Sequence, residues 1–135
     1  MASGIYNRFK ANLMNKVVDL EADTIKVALY DNSHGFTATH HTYTTDNELA
    51  STGGYTQGGA TLSSPAVTEG ATTKWDDDGS DTAWTSATFT AYHAVIWDDT
   101  AANSLICSID FGGAKTVAAG TFTIQWNASG IITLA

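Results

Sequence analysis

The chain has 135 residues, 43% of them hydrophobic and 10% aromatic, which is enough for one core without staples and too apolar for a disordered chain. Six basic residues against fourteen acidic ones give a net charge of −8; with no Lys/Arg cluster, neither nucleic acid nor an anionic membrane is a fitting partner. No apolar run approaches the ~18 residues of a membrane-spanning helix, and Cys107 is the only cysteine, so no disulfide can form within the chain.

The opening residues lack the basic-then-apolar pattern of a secretory leader. The expectation is a chain that folds in a reducing cytoplasm. Ile5, Phe9, Leu13, Val17 and Leu20 recur at three- and four-residue steps, the spacing of one helical face, with Tyr6 and Met14 placed to widen it. Ser3 stands where a serine oxygen can cap the first turn. This pattern predicts an N-terminal helix within residues 1–22, followed by a β-sandwich over residues 23–135 in one domain.

Asp19, Glu21 and Asp23 read as an acidic turn before a strand from Thr24 to Tyr30, with Ile25, Val27 and Leu29 on one face and Lys26 on the other. Asp31 to Gly35 is a turn cluster, and Phe36 to Tyr43 is threonine-rich and extended. Gly53 to Gly59 forms a glycine-rich connector that lacks the lysine of a phosphate loop. Short strands follow near 60–63, 66–69, 72–75, 82–84, 87–90, 92–97, 104–111, 121–126 and 131–134. Eight to ten short strands after one helix predict a mainly β domain of sandwich or jelly-roll type.

Motifs with chemical associations are weak. Asp110-Phe111-Gly112 spells a kinase magnesium triplet, but no catalytic-loop His-Arg-Asp accompanies it, so a strand end and turn is expected. The acidic loop containing Asp76, Asp78 and Asp81 offers oxygen ligands to a hard cation, yet its glycine stands fourth from Asp76, where an EF-hand needs one at the sixth position. His40 and His41 are adjacent and would point to opposite faces of a strand. Cys107, between Leu105 and Ile109, reads as a core residue. Asn127-Ala128-Ser129 matches a glycosylation sequon, which carries weight only in a secreted chain. Trp75, Trp84, Trp97 and Trp126 are core or interface filler, or glycan platforms. No nucleophile, metal cluster or acid–base pair stands out. The expectation is a non-enzyme with no cofactor and no resident metal.

Several stretches resemble a family of small tailed-bacteriophage virion proteins: Tyr6-Asn7-Arg8-Phe9-Lys10, Asp23 to Leu29, Gly54 to Leu62, Ala94-Val95-Ile96-Trp97 and Phe122 to Ile131. They run in order through nearly the whole chain, and none is catalytic. The resemblance implies a structural protein made in the host bacterium's cytoplasm and placed on the virion. Its sharpest form is a capsid decoration, or cement, protein that binds the outer surface of the major capsid protein as a symmetric dimer or trimer. A tail- or fibre-associated protein and a virion-displayed carbohydrate-binding module are the alternatives. Arg8, Lys10, Lys16 and Lys26 are four of the six basic residues, whereas the rest of the chain sets two bases against eleven carboxylates. This polarity predicts that the basic N-terminal segment meets a partner; the competing expectation is a helix that caps the sandwich with its lysines solvated.

Overall fold

The computed structural model describes residues 3–76 and 81–135. Its elements in chain order are β1 (Gly4–Ile5), α1 (Asn7–Met14), β2 (Ile25–Tyr30), β3 (Ala60–Thr61), β4 (Val67–Thr68), β5 (Thr73–Trp75), β6 (Thr82–Asp98), β7 (Ser104–Ile124) and β8 (Ile132–Leu134). They form a five-stranded sheet of order β1-β7-β6-β2-β3 and a three-stranded sheet of order β4-β5-β8. All pairings between named strands are antiparallel. The mainly β, sandwich-like architecture expected from the sequence is what forms.

The β6–β7 hairpin is the centre of the larger sheet. It is also where the sequence misleads. The three short strands expected over 82–97 are one continuous β6, and those expected at 104–111 and 121–126 are one continuous β7. Asp110-Phe111-Gly112 is therefore no strand end. The apparent breaks are absorbed as bulges, with register shifts at Trp84/Ala87, Ala87/Phe89 and Ala91/His93. The residues at these irregularities include Ser86, Gly112 and Ala119, with φ of 49°, 79° and 49°. A bulge inserts extra residues and bends a strand without ending it.

β2 is buried on both faces. Val27 pairs with Ile96 and Ala28 with Val95. On one face Ile25, Val27 and Leu29 join Ile96, Ile106 and Cys107 in the main core, which Trp75 and Ile132 of the smaller sheet help to close. Each such aliphatic side chain contributes about 1.5–3 kcal/mol by leaving water. On the other face Ala28, Tyr30, Val95, Trp97 and Leu105 form a second cluster with Tyr6, against which Phe36 and Tyr43 pack. Leu105 thus lies away from Cys107, because the register shift between Ile96 and Trp97 turns it toward Trp97. The threonine-rich segment from Phe36 to Tyr43 is a loop draped over this face. It touches the sheet through the Thr42–Ser104 bridge and the Leu105 N–H to His41 carbonyl bond of 2.9 Å.

The glycine connector is clamped rather than loose. Gly59 has a φ of +87°, and a Cβ there would lie 1.8 Å from the Val27 carbonyl oxygen. The Trp97 indole N–H donates to the Gly58 carbonyl at 3.1 Å.

The helix expected within residues 1–22 occupies only Asn7–Met14. Upstream, Gly4 and Ile5 pair with Ser108 and Cys107 as a strand. Ser3 does not cap the helix; its Oγ accepts from the Asp110 N–H at 2.9 Å. Tyr6 is the N-cap residue, with its own N–H donating to the Ile106 carbonyl at 3.0 Å. Downstream, Lys16 turns left-handed at φ 60° and helical geometry stops. Phe9 is buried and Leu13 packs against the core, as the period predicted. Met14 does not widen that stripe, since it is 89% exposed.

Candidate functional site

The four basic residues nominated from the sequence do not form one cluster. Arg8 and Lys10 are exposed on α1 and Lys16 is exposed at its exit. The Arg8 guanidinium donates to Nδ1 of His41 at 2.9 Å. Lys26 stands on β2, with its ammonium 4.0 Å from the Asp99 carboxylate and 5.7 Å from the centre of the Trp97 ring. It is engaged by its own sheet, so Lys10 and Lys16 are the two bases left at the helix surface.

The surface beside Lys16 was not read from the sequence. Met14 is 89%, Val17 51% and Val67 41% exposed. Val17 and Val67 line an open cleft with Leu13, Lys16 and Glu21. The acidic turn holds this cleft in shape. Asp19 Oδ1 accepts the N–H groups of Glu21 and Ala22, both at 3.0 Å, and Glu21 accepts the Val67 N–H at 3.0 Å. The last bond ties the turn to β4. Large apolar side chains left in water beside charged rims mark contact surfaces more often than chance. Helical periodicity assigned Val17 to the core, which hid this surface.

Of the three acidic-loop carboxylates named from the sequence, Asp76 and Asp81 are among the described residues. Asp76 is 1% exposed, with a φ of 57° and its N–H donating to the Ala66 carbonyl at 2.7 Å. Asp81 is exposed, and Asp78 lies outside the described residues. Among the described residues no three His, Cys, Asp or Glu side chains are grouped as a metal site would need.

Beneath the draped loop is a small cavity of about 200 Å³ lined by Tyr6, Tyr30, His34 and His40. His34 Nε2 lies 3.0 Å from Ser108 Oγ, and its ring meets the His93 ring at 5.0 Å edge to face. Burial, then the neighbouring His93, pulls the His34 imidazole down to about 4. Burial also lowers His93, against the Asp110 carboxylate 3.8 Å away. A hydroxyl beside a neutral imidazole is the arrangement that activates a nucleophile. Here Ser108 is only 1% exposed. The bond joins the loop that carries His34 to β7. Cys107, 5% exposed, has its thiol pushed up to about 12 by burial, which leaves it in its inert protonated form.

A second buried network lay beyond sequence reading. Glu48, 8% exposed, accepts hydrogen bonds from the Tyr43 hydroxyl, from the Tyr55 hydroxyl at 2.5 Å and from the Gly58 N–H at 2.7 Å. Tyr55 Oη in turn accepts the Leu29 N–H at 2.9 Å, and the Tyr43 ring stacks on Trp97 at 4.1 Å. The carboxylate is thereby satisfied and welds the loop and glycine connector to β2.

Of the four tryptophans, Trp75, Trp84 and Trp97 are buried at 2%, 6% and 4% exposure, so they are core filler. Trp126 is half-buried, with its indole N–H on Thr82 Oγ1 at 3.0 Å. It belongs to a partly open apolar face with Phe111, Phe122, Ile124 and Ile131.

The chain matches no family model, no curated protein and no solved structure.

Proposed function

We propose that this protein is a non-enzymatic structural component of a tailed-bacteriophage particle, a decoration protein that grips the outer surface of the capsid shell. Two things support the reading. The first is the resemblance of five stretches to small virion proteins. Those stretches supply the start of α1, β2, the clamped glycine segment, the C-terminal end of β6 and the end of β7, so they carry framework elements. The second, which carries the docking claim, is the open cleft at the helix exit where exposed Val17 and Val67 stand beside Lys16 and the acidic turn, with the exposed Met14 three residues before Val17. A shell protein needs such a patch and no chemistry, because many weak identical contacts sum when symmetry repeats them.

Counting copies of the chain in purified particles by quantitative mass spectrometry tests the placement. Hundreds of copies per particle fit a shell protein. A dozen or fewer fit the tail- or fibre-associated alternative, and none defeats both. The docking patch is tested separately with Met14→Asp/Val17→Asp, chosen because both side chains are exposed. The double variant should fold and fail to join particles. Deleting residues 1–20 is a poorer test, since it removes β1 and the buried Tyr6 and Phe9. The glycan-module alternative rests on Trp126 alone among the tryptophans. Quenching of its fluorescence by host-surface sugars would favour that alternative.

A further inference from the structure

We infer that the face formed by Phe111, Phe122, Ile124 and Trp126 docks a second copy of this chain across a two-fold axis. Charge selects the occupant. No carboxylate follows Asp110, and Lys115 is the only charged residue in 111–135, in a chain of net charge −8. Two like-charged molecules repel wherever their acidic surfaces meet. This face is where they can approach without that cost, and each Lys115 then meets a partner of opposite net charge. A basic partner would be drawn to the acidic remainder instead.

The geometry fits a closed pair. Two adjoining clefts share Phe111 and Ile124. The Phe122 ring packs 5.1 Å from Phe89 and 6.0 Å from Trp84, so the face is the exposed margin of the core and is preorganised. A fully buried aromatic removes about 150–250 Å² from water. The partly buried side chains here retain roughly 100–300 Å², and the exposed length of β7 beside them has to supply the rest of the ~800 Å² per partner that a stable interface uses. Among the described residues, β1 pairs with β7 only at Cys107 and Ser108, leaving the outer edge of β7 without a strand partner beyond Asp110. The bulges near Gly112 and Ala119 interrupt that edge. Interrupted edges resist open-ended stacking, and a self-complementary patch closes on itself as a dimer.

The inference does not depend on the particle reading, because the pair should form in free solution. Light scattering after size exclusion at about 50 μM in 150 mM salt should give twice the 14.2 kDa chain mass. Thr123→Glu, an exposed position at the cleft, should weaken the dimer at least tenfold, with higher salt recovering part of the loss. Phe111→Ala should weaken it similarly, with circular dichroism reporting that each variant is folded. Met14→Asp should leave the dimer intact. A monomeric wild type, a dimer indifferent to Thr123→Glu, or one dissolved by Met14→Asp would each overturn the inference. A free monomer that still decorates particles would leave the shell reading standing and remove only this one.

Discussion

Replacing Asp98 by asparagine should stabilise the protein at pH 8. Asp98 is fully buried at 0% exposure. Its Oδ1 accepts the N–H groups of Thr100 at 2.9 Å and Ala101 at 3.0 Å, closing the turn of the β6–β7 hairpin. Its Oδ2 is buried without a hydrogen-bond partner of ordinary geometry. Burial, then the adjacent Asp23 carboxylate, pushes the Asp98 carboxyl up to about 7 from 3.8. A carboxyl raised in the folded state adds stability that is complete below its unfolded value and lost as pH rises through the folded one. The charge therefore costs stability above pH 7. A rise of that size corresponds to about 4 kcal/mol, an upper limit that relaxation and water reduce to about 2 kcal/mol. Asparagine keeps the Oδ1 acceptor and offers Asp23 a donor. Urea unfolding at pH 8 should show Asp98→Asn more stable by about 2 kcal/mol, or roughly 5–10 °C in Tm. The advantage should shrink as pH falls from 7 toward 4. A destabilised variant at pH 8, or a gap constant from pH 8 to 4, would refute the buried-charge argument.

Other side chains give equally direct tests. Glu48→Ala strips the acceptor from Tyr43, Tyr55 and Gly58 and should cost about 3–5 kcal/mol in urea unfolding. Because His34 is neutral when folded, with its pKa pulled down to about 4, the unfolded chain binds its proton first. Stability should fall as pH drops from 6.5 to 4, by about 1–2 kcal/mol once solvent screening of the half-open ring is allowed for. That loss is best read in the Asp98→Asn background, where the opposing carboxyl is gone, and His34→Gln should reduce it to the part contributed by His93, which burial also lowers. Gly59→Ala drives a Cβ against the Val27 carbonyl at an unfavourable φ of +87° and should destabilise by about 3 kcal/mol or more; a neutral result would mean the glycine segment is looser than described.

The parts of the fold that were legible in the sequence are those set by local pattern. Alternation in Ile25 to Leu29 located β2 and its core face. Period-3.6 spacing located Phe9 and Leu13. Helix length was misread because the same period runs on into Val17 and Leu20, while Gly4 and Ile5 are claimed by β7 and Lys16 leaves helical geometry. Strand count was misread because Gly112-Gly113 and Thr85-Ser86 look like breaks, and only the partner strand reveals that they are bulges. His34 and Ser108 are far apart in sequence, and the bonds around Glu48 and Asp98 run through irregular loop and turn geometry, so no spacing rule announces them. The exposure of Met14 and Val17 was concealed by their hydrophobicity, which local pattern assigns to a core. The carboxylate-free tail after Asp110, in contrast, is plain in the sequence once charge is tallied by segment.

A cryo-electron microscopy map of the parent particle would show whether the molecule grips a shell, as proposed. Sandwich-shaped density should repeat over the outer capsid lattice, with the Met14–Val17 end turned toward the shell. A bare lattice, with this density confined to the tail or missing from the particle, would contradict it.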